Sequence, residues 1–285
     1  MIYFINNTSS INLGYGLHSQ MQPINVYFLE SSDNQGKKTF NNKNLDFTKS
    51  HHWVLGYNIK PIKDWRIKAE VYYQSIFQVP ITRYSSSYSM LNTGATFKPD
   101  LTDSLANRGT GTNYGIELTI EKFFSHGFYG LLTYSKYNST YRGSDGISRN
   151  TAFNGKYVMN FLTGKEWRLG VQKQNRLSLD LKCTQAGGRA YTPIDLGASI
   201  ISGHEVLASE AYSAFYDKYF RMDLKIGFTI NSTTKKIAHS LSLDLQNITN
   251  HQNVFSNSYD NRRQSIDTTY QLGFFPNAIY KIQFW

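Results

Sequence analysis

Strict two-residue alternation, with full charges on one of the two faces, constrains this chain more than any other feature. In 219–230, Phe220, Met222, Leu224, Ile226, Phe228 and Ile230 alternate with Arg221, Asp223, Lys225, Gly227 and Thr229. In 113–123, Tyr114, Ile116, Leu118 and Ile120 oppose Gly115, Glu117, Thr119 and Glu121. In 176–183, Leu177, Leu179, Leu181 and Cys183 oppose Ser178, Asp180 and Lys182. Successive side chains of a strand point to opposite sides of its sheet, so each segment reads as a strand with one apolar and one charged face. The same scheme places ten strands near 9–20, 51–60, 64–77, 113–123, 127–138, 155–167, 175–184, 219–230, 237–248 and 277–285.

The links between these strands alternate in length. Short ones occupy 61–64, 124–127, 168–175 and 231–236; long polar ones occupy 21–50, 78–112, 139–154, 185–218 and 249–276. Short turns at one rim and long loops at the other describe a bacterial outer-membrane β-barrel, apolar face to lipid and charged face to a wet lumen. Only half of each strand must then be apolar, which reconciles a mean hydropathy of −0.45 with a membrane location. No apolar run approaches the roughly 18 residues of a membrane-spanning helix. Aromatic residues reach 15% in a chain only 40% hydrophobic, an excess that suits interfacial girdles better than a core. Two rivals stand beside this reading. A soluble carbohydrate-binding β-domain tolerates any single such strand but does not require the sorting of loops. A complete ten-stranded outer-membrane hydrolase, with catalytic His and carboxylates on its outer loops, requires the first strand to close on the tenth.

Other classes find little support. The single Cys183 excludes an internal disulfide framework and a multi-cysteine metal site. The net charge of +10 is scattered along the chain, so nucleic acid is not expected as a partner. His51 and His52 are neighbours and point to opposite faces, and His18, His126, His204, His239 and His251 have no ligand partner at a recognisable spacing. The stretch GTGTNYG at 109–115 lacks dinucleotide-binding spacing and is expected to ease a loop into a strand. Asp33, Asp100, Asp103, Asp145 and Asp260 fall in long loops, where solvated charge is a better reading than calcium ligation. No catalytic, cofactor or metal set is recognisable. The opening MIYFINNTSS has no charged n-region, apolar h-region or cleavage site, so the chain is expected to be cytosolic or not the start of its gene product.

The expected lumen face carries both signs: Arg66, Lys68, Glu70, Glu117, Glu121, Asp180, Lys182, Arg221, Asp223, Lys225, Asp244 and Lys281. At the C-terminus, Tyr280, Ile282 and Phe284 alternate with Lys281 and Gln283 and read as the lipid face of a closing strand, with Trp285 at the periplasmic rim.

Several stretches in order along the chain resemble TonB-dependent outer-membrane receptors, particularly Bacteroidetes-type members. They include LGYGLHSQMQPINVYF (13–28), RIKAEVYYQSIFQVPI (66–81), GTGTNYGIELTIEKFF (109–124), SDGISRNTAFNGKYVMNFLTGKEW (144–167), AGGRAYTPIDL (186–196), LDLQNITNHQNVF (243–255) and GFFPNAIYKIQF (273–284). The resemblance implies an all-β, antiparallel transmembrane segment of about ten strands, the last part of a barrel of about 22. Residues 1–285 would then be the C-terminal portion of the barrel, with the plug domain and first strands absent. It further implies import of a scarce ligand, no enzymatic activity, and outer-membrane lipid as surroundings. The barrel-assembly machinery would read Tyr280, Ile282 and Phe284 as a terminal signal, and TonB would act through the missing N-terminal plug region.

Overall fold

The protein is described by a computed structural model covering residues 1–32, 36–95, 101–232 and 236–284; Asp33, Asp100, Thr234 and Trp285 lie outside the described residues. Eleven strands make its wall: β1 (Ile2–Asn6), β2 (Ser9–Gln20), β3 (Thr48–Ile59), β4 (Trp65–Thr82), β5 (Leu105–Ser125), β6 (Phe128–Arg142), β7 (Tyr157–Leu169), β8 (Asn175–Ala186), β9 (Tyr219–Asn231), β10 (Ile237–Gln246) and β11 (Phe275–Phe284). Each pairs antiparallel with the next, and the short strand Ser148–Asn150 adds to β6. Among the described residues, the two α-helices, Ile24–Tyr27 and Leu196–Ser202, and the 3-10 turn Met90–Asn92 belong to long loops. Among the described residues, no helix is long and apolar enough to cross a membrane.

All ten expected strands are present, and one more precedes them. β1 went unread because Ile2, Tyr3, Phe4 and Ile5 form an unbroken apolar run with no two-faced signal. The edge of the sheet is therefore β1, not β2. Strands β4 and β5 run to 18 and 21 residues, whereas about 9–11 tilted residues suffice to cross a bilayer. Their outer ends stand clear of the membrane, and GTGTNYG lies inside β5 rather than at a loop junction.

Burial is inverted relative to a soluble domain. The apolar face of the wall is open, with Leu55 and Ile116 each 50% exposed and Leu241 56% exposed. The buried apolar cluster of Val26, Val79, Met90 and Leu105 instead sits where long loops pack on the outer ends of β4 and β5. Hydrocarbon takes the place of a core along the wall. Tyr15, Trp53, Tyr73 and Tyr114 stand directly opposite one another across β2–β5 and form an aromatic row toward the long-loop rim. The ring centroids of Tyr15 and Trp53 are 5.6 Å apart and those of Trp53 and Tyr73 5.8 Å. A second row, Trp167, Leu177, Phe228, Leu241 and Tyr280, runs across β7–β11 toward the short-turn rim. Tyr280, Ile282 and Phe284 share this outward face, and His239 bonds the Tyr280 hydroxyl at 2.7 Å.

The opposite face is polar and internally paired. Arg66 bonds Glu121 at 2.9 Å, Lys68 bonds Glu70 at 2.6 Å, and Arg221 bonds Asp223 at 2.7 Å. Glu70 faces Glu117 across the β4–β5 ladder; the ammonium of Lys68 offsets that like-charge pairing. Lys225 stands between Asp180 and Asp244 in register, and Lys182 opposite Asp223. A side-chain chain also crosses four strands, Ser50–Gln74–Asn113–Ser139, and ends on Thr151, with links of 3.1, 2.8, 2.6 and 2.8 Å. His51 and His52 lie on opposite faces, His51 stacked with Trp53 and His52 edge-on to Tyr72.

The sheet is open. β1 and β11 end the path and do not pair with each other. Eleven antiparallel strands place both edges in the same direction, so closing one on the other would need a parallel seam. This removes the closed ten-stranded alternative.

The two faces generate the first prediction. Leu118→Arg, on the open apolar face, should cost about 2–4 kcal/mol of folding free energy in lipid vesicles. Lys225→Ala, on the polar face, should cost less than about 1 kcal/mol. Equal costs in a denaturant titration would reverse the assignment of faces.

Candidate functional site

The five long loops, 21–47, 83–104, 143–156, 187–218 and 247–274, are tied to one another in sequence order at one rim. Asn42 donates to the Thr102 carbonyl at 2.9 Å and accepts from the Leu105 amide, joining the first loop to the second. The Asn92 side chain accepts from the Ala152 amide at 2.9 Å, and the buried Tyr141 hydroxyl donates to the Ser87 carbonyl at 2.8 Å, joining the second to the third. Asn150 donates to the Tyr212 carbonyl at 3.2 Å, and Glu205 accepts from the Tyr259 amide at 3.0 Å. The result is a hydrogen-bonded collar. It places these loops before any ligand arrives, which lowers the ordering cost of binding.

Inside the collar lies a recess of about 570 Å³, lined by Arg189, Tyr191, Glu205, Tyr212, Tyr216 and Phe255 among others. The elements that build it are short. Ala190–Tyr191 pairs with Ala214–Phe215, which brings Tyr191 and Tyr216 into a stack with centroids 4.1 Å apart and planes 15° apart. The Arg189 guanidinium donates to the Phe255 carbonyl at 3.3 Å, fixing a cation at the wall. Burial pushes the Tyr216 phenol up from its ordinary pKa, so it stays a neutral donor or acceptor. Gly187 and Gly188 permit this packing. A Cβ on Gly188 would overlap the Tyr216 carbonyl oxygen, and one on Gly187 that of Gly155. A planar ligand with negative charge would meet stacked aromatic rings and a guanidinium here. Among the described residues, no three His, Cys, Asp or Glu gather as a metal site.

Below the collar, the polar face holds a second recess of about 460 Å³ lined by His52, Glu70, Tyr72, Gln74, Asn113 and Tyr137 among others. The predicted lumen charges Glu70 and Glu117 both line it. Asp145 and Asp260 sit in the collar as expected, each held by an arginine: Arg149 at 2.7 Å and Arg263 at 2.9 Å. Asp103 accepts from Ser31 and Asn41, each at 2.6 Å. Arg189 and Tyr191 had no reading in sequence beyond their membership of AGGRAYTPIDL, and Tyr216, twenty residues beyond it, had none. The glycine pair directly before Arg189 and Tyr191 is the signal that marks those two; Tyr216 carries none.

The collar supplies a pH prediction. The Arg149 guanidinium holds the Asp145 carboxyl below its usual range, with the Ile147 amide assisting. A carboxyl lowered in the folded state stabilises the loop fully above the unfolded value of about 4 and loses that contribution as pH falls through the folded value. Acidification below about pH 4 should therefore loosen 143–156. In hydrogen exchange corrected for intrinsic rates, Asp145→Asn should be loose already at neutral pH and show little further acid response. An unchanged acid response in that variant would refute the assignment.

Comparison with known proteins agrees with this architecture. The family model described as TonB dependent receptor-like, beta-barrel matches residues 2–250. No curated protein matches the sequence. Among solved structures, the pyoverdine receptor FpvA of Pseudomonas aeruginosa PAO1 superposes with a TM-score of 0.62 at 13% identity, over 99% of this chain and 35% of that one. The ferric preacinetobactin receptor BauA of Acinetobacter baumannii gives 0.60 at 10% identity, over 99% and 35%. The ferric-catecholate receptor Fiu of Escherichia coli K12 gives 0.56 at 11%, over 98% and 34%. The chain thus spans about a third of the length of the structures it matches. With most of its length covered by the family model and its strands in the same architecture, the chain belongs to the TonB-dependent receptor-like β-barrel family, whose members are outer-membrane proteins.

Proposed function

We propose that this sheet is the C-terminal part of an outer-membrane receptor barrel that captures a scarce ligand in its loop collar and passes it inward along a polar lumen. The observation that carries the reading is the collar itself, five loops locked together over the polar face at the rim away from the short turns. The long loops face outward, as in bacterial barrels generally. An unpaired strand edge in lipid leaves amides and carbonyls unsatisfied, and here both edges run the same way. The rest of the barrel must therefore contribute an odd number of strands to close it antiparallel. A barrel of about 22 strands meets that condition and leaves room for a plug. TonB would act through that upstream plug region. Tyr280, Ile282 and Phe284, on the outward face of β11, would serve as the terminal signal for barrel assembly. The solved neighbours named for ferric chelates make iron chelates the first ligands to try, and the stacked tyrosines beside Arg189 suit an anionic, aromatic chelate. Neither this pattern nor the family points to an enzyme.

Two measurements test the reading. In intact cells carrying the full-length receptor, epitopes near Asn92 and Asp260 should be labelled from outside, and one near Thr234 should not. Labelling at Thr234 would invert the orientation. Tyr216→Ala and Arg189→Ala should each weaken whole-cell binding of the transported chelate by about tenfold or more, the range of a central contact. Undiminished binding with normal surface abundance would move the capture site elsewhere.

A further inference from the structure

On the outward face, one small residue interrupts an otherwise bulky row. Across β2–β6 the row reads Ile11, Tyr57, Ala69, Leu118, Tyr134, and the row next to it, nearer the long loops, reads Leu13, Leu55, Val71, Ile116, Lys136. The missing bulk at Ala69 opens an apolar groove of about 530 Å³ between Leu55, Tyr57, Val71, Ile116, Leu118 and Tyr134. Lys136 stands at its edge, directly opposite Ile116 and two residues beyond Tyr134 on the same face. It is exposed, and among the described residues no carboxylate lies within ion-pairing reach of it.

An ammonium on a lipid-facing wall is unfavourable unless its stem reaches the interface and its head meets an anion. The aromatic row of Tyr15, Trp53, Tyr73 and Tyr114 lies one register step beyond the row that ends in Lys136, so the four-carbon stem spans the gap to the headgroup level. We propose that the groove and Lys136 together bind one anionic lipid of the outer leaflet, an acyl chain over Ala69 and a headgroup phosphate on the ammonium. Charge complementarity selects a phosphate-bearing glycolipid of the lipid A type. Lys136, on the row nearer the long loops, sets the direction in which the lipid lies, headgroup toward that rim. This inference rests on the orientation given under the proposed function.

The test uses the full-length receptor in mild detergent, titrated with lipid A or with a neutral diacyl glycolipid and read by native mass spectrometry. Wild type should retain lipid A over the neutral lipid. Lys136→Gln should lower lipid A retention about fivefold, the worth of one cation at an anionic surface, and leave the neutral lipid unchanged; Lys136→Arg should restore it. Ala69→Phe, which fills the groove, should lower retention of both. A heat-resistant folded band on gels certifies each variant. Lipid A retention by Lys136→Gln equal to that of wild type overturns the site, as does full retention by Ala69→Phe. Surface labelling near Asn92 reports orientation independently, so failure of lipid binding with Asn92 reachable from outside counts against this site alone.

Discussion

A backbone surrounded by hydrocarbon has no water to bond, and every other property of this sheet follows from that requirement. Each strand obtains its partners from the strands beside it in sequence, which gives a pure meander rather than a Greek key. The same requirement makes the two edges the least satisfied part of the structure. Turns at one rim can be as short as 126–127 because nothing has to cross the membrane there. Chain length accumulates at the other rim, where water can bond whatever the loops leave free.

The inner and outer faces of the wall solve different packing problems. Outward residues meet a fluid solvent and are chosen for size and polarity alone. Inward residues share a narrower circumference, and the structure relieves the crowding with inward glycines, among them Gly56 on β3, Gly115 on β5, Gly164 on β7 and Gly227 on β9. At Gly164 the absent side chain lets Tyr129 of β6 reach over β7 and donate to Asp180 of β8 at 2.6 Å. A Cβ there would overlap both partners. Neighbouring polar residues thereby bond across a strand, and the wall gains lateral connections beyond its ladder.

The wall was legible in the sequence because its rule is local. Alternation at period two survives in any stretch that separates lipid from water, so β2 through β11 announced themselves. β1 did not, since four apolar residues in a row carry no face. The outer ends of β4 (78–82) and β5 (105–112) were also missed, because above the membrane both faces are wet or packed under loops and alternation loses its cause. At 105–112, Leu105 is buried in the cluster under the loops and Gly109 against Val79 and Ile81 of β4, neither by any periodic rule. The candidate capture site was least legible of all. Tyr191 and Tyr216 are brought together by a two-residue ladder and by glycines that let backbones touch, and neither signal has a period.

An odd count of strands also limits how such a wall can change over time. Inserting or deleting one strand would force a parallel seam or leave an edge in lipid, whereas a whole hairpin enters or leaves with every neighbour still antiparallel. Barrels of this kind are therefore expected to differ in circumference by steps of two strands. A simple tandem copy of this eleven-stranded unit would join like-directed edges, so circumference grows by duplicating hairpins and not by doubling this unit.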